Sequence, residues 1–89
     1  MTARVRFSRH FLKQYNTAPR NILTAFDARL KRFFKNQHDP ILRNHALRGM
    51  LSGLRSINIS GDWRAIFREL PDEKIIFFDA LGTHNQLYR

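Results

Sequence analysis

Apolar side chains recur along this chain with two different spacings. In the first half Ile22, Phe26, Leu30 and Phe33 form a stripe that Leu23 and Phe34 widen, while Asn21, Asp27, Lys31 and Lys35 fall on the other side. That period is the mark of an amphipathic helix. Pro19 opens it, because proline suits a first turn and disfavours a helical residue before it, and the helix ends near Asn36-Gln37, ahead of His38-Asp39-Pro40. Upstream, Ser8 can cap a shorter helix in which Phe11, Leu12 and Tyr15 share a face and Arg9, Lys13 and Gln14 turn to solvent. Val5-Arg6-Phe7 alternates apolar and basic residues, as a short strand does.

Pro40 to Ser52 has no clear period and reads as a loop or short extended segment. From Gly53 the spacing drops to two: Arg55, Ile57 and Ile59 face one way, and Leu54, Ser56 and Asn58 the other. Ser60-Gly61-Asp62 is a tight-turn signal, so the next strand pairs antiparallel; in it Trp63, Ala65 and Phe67 oppose Arg64, Ile66 and Arg68. After the turn Leu70-Pro71-Asp72-Glu73-Lys74, Ile75-Ile76-Phe77-Phe78 is apolar on both faces, as in a central strand. Asp79-Ala80-Leu81 continues it, and Gly82 lets the backbone turn into a short tail. The prediction is an α+β fold in which two N-terminal helices pack on one face of a small, mostly antiparallel sheet and leave the other face open. With 89 residues, the chain reads as a single domain over 1–89.

Charge changes the picture more than the core does. Sixteen Lys+Arg against seven Asp+Glu give a net charge of +9, and up to His38 the only acid is Asp27. Such a field concentrates polyanions, whether nucleic acid, the ribosome, an anionic membrane surface or an acidic protein. On the helices it reads either as a solvated face or as a docking surface for an acidic partner or RNA phosphates. Cysteine is absent, so core packing alone holds the fold, which fits a reducing interior such as the cytoplasm. Met1 to Phe7 has no apolar run suited to secretion and no window approaches a membrane span, so no membrane partner is expected.

If the helices cover the Trp63/Ala65/Phe67 face, Arg64 and Arg68 project together from the other. Guanidiniums side by side make a rigid phosphate site, because each offers a fork of donors and stays charged. A tail folded back over the strand ends brings His84 and Tyr88 to the same concavity, and His45 approaches from the loop before the sheet. Cleaving RNA without a metal needs this set: a base for the 2′-hydroxyl proton, cations for the charged phosphorane and an acid for the leaving oxygen. Tyr88 can stack a base or donate to a phosphate. Plainer readings stand beside these. A lone histidine in a basic protein is more often a surface residue, and His10 and His38 read that way. Trp63 suits the core better than a stacking platform because its face is otherwise apolar. Asp62 more often closes a turn than orients a histidine.

Four segments in order, His45-Ala46-Leu47-Arg48-Gly49, Gly53-Leu54-Arg55-Ser56-Ile57, Gly61-Asp62-Trp63-Arg64-Ala65-Ile66-Phe67 and Gly82-Thr83-His84-Asn85-Gln86-Leu87-Tyr88, resemble the RelE/ParE superfamily of bacterial toxins, in its YafQ-like branch. The resemblance implies the toxin of a type II toxin–antitoxin system: a ribosome-dependent mRNA endoribonuclease that needs no metal or other cofactor and is silenced by an acidic antitoxin. His45, Asp62, His84 and Tyr88 would then be catalytic, with Arg64 stabilising transition-state charge, and Arg48, Arg55, Trp63 and Arg68 would hold RNA. Two positions depart from the branch. Asn58 stands where a second histidine is expected and Ala80 where an arginine is expected; Asn58 hydrogen-bonds but cannot shuttle a proton. These departures fit a second reading, a ParE-like protein that inhibits DNA gyrase without cutting, whereas the pairing of His45 with His84 opposes it. A third reading is a basic nucleic-acid binding module without toxicity.

Overall fold

Ser8 is the joint between the first strand and the first helix. In the computed structural model, which describes residues 4–88, strand β1 (Arg4–Phe7) precedes it and helix α1 (Arg9–Thr17) follows. Met1, Thr2, Ala3 and Arg89, included in the single-domain reading, lie outside the described residues. The Ser8 hydroxyl accepts the Phe11 N–H at 2.8 Å, which caps α1 as the sequence suggests. Helix α2 (Arg20–Lys35) starts after Pro19 and stops at Asn36, whose N–H donates to the Arg32 carbonyl. Neither helix is long and apolar enough to cross a membrane, nor is any other among the described residues.

The aperiodic stretch is more ordered than a loop. Asp39 caps a 3-10 turn (Pro40–Leu42), the edge strand β2 (His45–Ala46) follows, and a second 3-10 turn (Gly49–Leu51) leads toward the sheet. Strands β3 (Arg55–Ser60), β4 (Trp63–Leu70) and β5 (Ile75–Thr83) form a meander. The tail is a one-turn helix, α3 (His84–Leu87). Its signal was in the sequence: Thr83 and Gln86 form a reciprocal capping box, a pattern of hydroxyl and amide three residues apart.

The strand order is β1-β5-β4-β3-β2, antiparallel except for β1 against β5. A parallel pair needs a long crossover, and α1 and α2 lie within it, which seats them on one face of the sheet. Ile22, Phe26 and Phe33 of α2 and Phe11 of α1 are buried there with Ile57, Ile59, Ala65, Phe67, Ile76, Phe78 and Leu81. Phe78 is the hub, with the rings of Phe7, Phe11, Phe26, Phe33 and Phe67 all centred between 5.4 and 6.1 Å from its own. Leu12 and Phe34, expected in the helix stripes, are instead about half exposed at 47% and 49%. They lie on the edge of each stripe, turned away from the sheet.

One irregularity sets the C-terminal half of β5. Ile66 pairs with Ala80 and Phe67 with Phe78, so Asp79 is an extra residue bulged out of the ladder. A strand without it would send Leu81 to the face opposite Phe78; the bulge restores Leu81 to the core, across from Ala65. Helix α1 satisfies the backbone nearby. The Ser8 hydroxyl donates to the Asp79 carbonyl at 2.8 Å, and Gln14 Oε1 accepts the Leu81 N–H at 2.7 Å.

Candidate active site

The 3-10 turn after α2 decides how His45 is presented. Asp39 caps that turn through the Ile41 N–H at 3.1 Å and pairs with Arg32 at 3.1 Å. The hydrogen bond from Ile41 outweighs the cost of burial and, with the Arg32 and Arg29 guanidiniums adding to it, holds its carboxyl below the usual carboxylate range. The turn ends at Arg43, whose backbone is left-handed (φ 48, ψ 46). There the Arg43 carbonyl lies 2.7 Å from His45 Nδ1. A carbonyl only accepts, so Nδ1 carries the hydrogen and the neutral ring keeps its lone pair on Nε2, where a general base needs it.

Arg64 comes from the opposite side, at the start of β4. Its Nη1 donates to the Gly61 carbonyl at 2.8 Å and the Trp63 carbonyl at 3.0 Å, which tethers the guanidinium over the β3–β4 turn. Gly61 has φ +55, a conformation that favours glycine and lets the turn stay this tight. Asn58 is directly across the ladder from Arg64, on the same face.

Helix α3 supplies the third group. The His84 N–H donates to the Asp62 carbonyl at 2.8 Å, which pins the helix start against the same turn that holds Arg64. One turn later the Tyr88 N–H donates to the His84 carbonyl at 3.0 Å. The two rings consequently meet, with centres 4.5 Å apart and planes 52° apart.

These elements enclose a hollow of about 550 Å³ on the sheet face away from α1 and α2. His45, Arg48, Arg64, His84 and Tyr88, five of the nine residues singled out in the sequence, line it together. Asn58 also lines it, as do Leu47 of the first motif and Arg43 and Leu51, which no motif marked. Arg43 precedes the first motif by two residues and has no periodic neighbour, so only its left-handed turn brings it in. The lining holds three arginines and two histidines and no carboxylate. Ala80 lies outside it, so the departure there leaves the hollow's own residues unchanged.

Four expected members go elsewhere, each for a reason of strand parity or turn geometry. Arg55 pairs across from Phe67, a fully buried core residue, so it points to the helix side, where its Nε donates to Asn44 Oδ1 at 2.8 Å. Arg68 shares a face with Arg64 but is four residues along β4, roughly 13 Å at the rise of a strand. It stacks instead on Phe77, the guanidinium carbon 4.9 Å from the ring centre. Asp62 contributes its backbone carbonyl to α3, not its carboxylate to the lining. Trp63 packs against the core and edges a separate depression with Gln14, Thr17 and Gln86 on the α1 side. Its plainer reading is the observed one.

Chemically, the hollow offers an imidazole held at Nδ1 by a backbone carbonyl, a second imidazole on a separate element, a tethered guanidinium and two further arginines. Those groups suit an anionic phosphodiester. Among the described residues, no group of three or more His, Asp or Glu is close enough together to hold a metal ion.

No family model matches the sequence, and no curated protein matches it significantly. Solved structures match over almost the whole chain. The crystal structure of YafQ from E. coli superposes with a TM-score of 0.82 at 18% identity, covering 99% of this chain and 100% of that one. The fold is that of the YafQ toxin. YafQ in the E. coli DinJ–YafQ toxin–antitoxin complex gives 0.80 at 19% identity, with both chains fully covered. The E. coli RelBE toxin–antitoxin complex gives 0.72 at 14% identity, covering 92% of this chain and 96% of its counterpart. The YafQ-like fold therefore stands on shape, with about four residues in five changed.

Proposed function

We propose that this protein is the toxin of a toxin–antitoxin pair and acts as an mRNA endoribonuclease on translating ribosomes in the cytoplasm. The observation that carries the reading is the convergence of His45, Arg64, His84 and Tyr88, drawn from three separate segments, in one carboxylate-free hollow. The YafQ-like fold and the net charge of +9 agree with it. In this mechanism His45 Nε2 takes the proton of a 2′-hydroxyl, and the 2′-oxygen attacks the adjacent phosphorus. Arg64 and Arg48 stabilise the extra negative charge of the phosphorane. His84 gives its proton to the departing 5′-oxygen as the P–O5′ bond breaks, leaving a 2′,3′-cyclic phosphate and a 5′-hydroxyl. Tyr88 holds the His84 ring and offers a surface to a base. Asn58, beside Arg64, donates to a non-bridging oxygen and transfers no proton.

Induction of the protein alone should stop translation and fragment messages, mapped by primer extension. His84→Ala, at an exposed position, should fold normally and lose on the order of a hundredfold in cleavage. Unchanged toxicity in a soluble His84→Ala protein would remove the assignment. Early DNA damage signalling with intact messages would favour gyrase inhibition instead, and nucleic-acid binding with no growth arrest would favour a simple binding module.

A further inference from the structure

Arg43 is one of only two described residues other than glycine with positive φ. Most side chains disfavour that backbone, and such outliers gather where the surroundings hold them for a purpose. Here the turn has two products. The carbonyl fixes the His45 tautomer at 2.7 Å, and Arg43 itself, carried round by the same turn, joins the lining of the hollow. The carbonyl alone needs no guanidinium, since glycine would supply it with less strain. The arginine is thus left to be explained by what it faces.

We infer that Arg43 binds the RNA phosphate one step to the 5′ side of the scissile phosphate. This rests on the ribonuclease reading, which sets the polarity. His45 serves the attacking 2′-hydroxyl, so the His45 side of the hollow holds the nucleotide that carries it. The next anion on that side is that nucleotide's own 5′ phosphate, and Arg43, two residues from His45, is the cation beside it. Arg64 and Arg48 remain with the scissile group. The substrate class is then a single strand threaded across the hollow with at least two consecutive phosphates engaged, and an isolated dinucleotide would be held poorly.

The test is a charge-removal cycle. The probe is an uncleavable 2′-O-methyl RNA of about ten nucleotides, with either a normal phosphodiester or a neutral methylphosphonate at the 5′-adjacent linkage. Wild type should bind the neutral form about tenfold more weakly. Arg43→Gly and Arg43→Ala should bind both forms alike, at the weaker level, with the salt slope reduced by about 0.7. Arg43→Lys should recover part of the discrimination. Arg43→Gly should melt no lower than wild type, so that its loss of binding is not a loss of fold. Equal sensitivity of wild type and Arg43→Gly to the methylphosphonate would overturn the inference. On ribosomes, the same variant should raise KM more than it lowers kcat. Cleavage that depends on His84 but is indifferent to Arg43 would sink the inference and spare the nuclease. Charge coupling on the inert strand without any cleavage would keep the phosphate subsite and sink the nuclease.

Discussion

The opposite duties proposed for His45 and His84 are testable at the scale of single residues by changing the leaving group. In the proposed mechanism His84 protonates the departing 5′-oxygen and His45 takes the 2′-hydroxyl proton, so a substrate with a bridging 5′-sulfur, whose thiolate leaves without a proton, should restore most of the cleavage lost in His84→Gln and none of that lost in His45→Gln. Equal rescue of both variants, or of neither, would show that the duties are not divided this way. The backbone carbonyl of Arg43 is as important here as any side chain, because it keeps the His45 lone pair on Nε2. Residue type and motif order singled out His45 and His84, and the fold brings both into the hollow. Strand alternation already put Arg55 on the face of Ile57 and Ile59, and the pairing with buried Phe67 makes that face the core side.

At the level of elements, the site is built by joints that lie outside it. Ser8 caps α1 and also satisfies the carbonyl of the Asp79 bulge. Ser8→Ala should lose about 2 kcal/mol, for a helix cap and an acceptor left without its donor. In a domain of this size that is a fall of roughly 10 °C in Tm. A loss near zero would mean that water replaces both bonds. Asp39 does a parallel task for the turn that ends at Arg43. Its pKa is lowered in the fold, so the unfolded chain binds more protons at acid pH, and its contribution is complete above the ordinary carboxylate range. That contribution is lost as pH falls through the lowered value. The NMR signals of Arg43 and His45 should shift along that acid titration in wild type, and not in Asp39→Asn; identical titrations would separate the cap from the site.

On the scale of the molecule, the governing quantities are a net charge of +9 over the whole chain and a hollow lined by three arginines and no acid. RNA binding should weaken with salt, with a log–log slope of roughly −2 if about three phosphates are neutralised. A slope near zero would argue that the hollow does not meet the backbone. The proposed acidic antitoxin should form a salt-sensitive complex that covers the arginine-lined face or displaces α3. Hydrogen exchange at His84–Leu87 should change on complex formation, and an inhibitory complex that leaves both the hollow and α3 untouched would contradict that view. The sequence by itself determined the two helices, the meander, the core face of β4 and the identity of the imidazoles, because these follow from local period, turn chemistry and residue type. Only the tertiary structure decided the parallel pairing of β1, the Asp79 bulge, the inward turn of Arg43 and the departure of Arg55, Asp62, Trp63 and Arg68 from the hollow. Each of those depends on which residue lies across a ladder or at the end of a turn, and a one-residue shift in register reverses the face without changing a letter of the sequence.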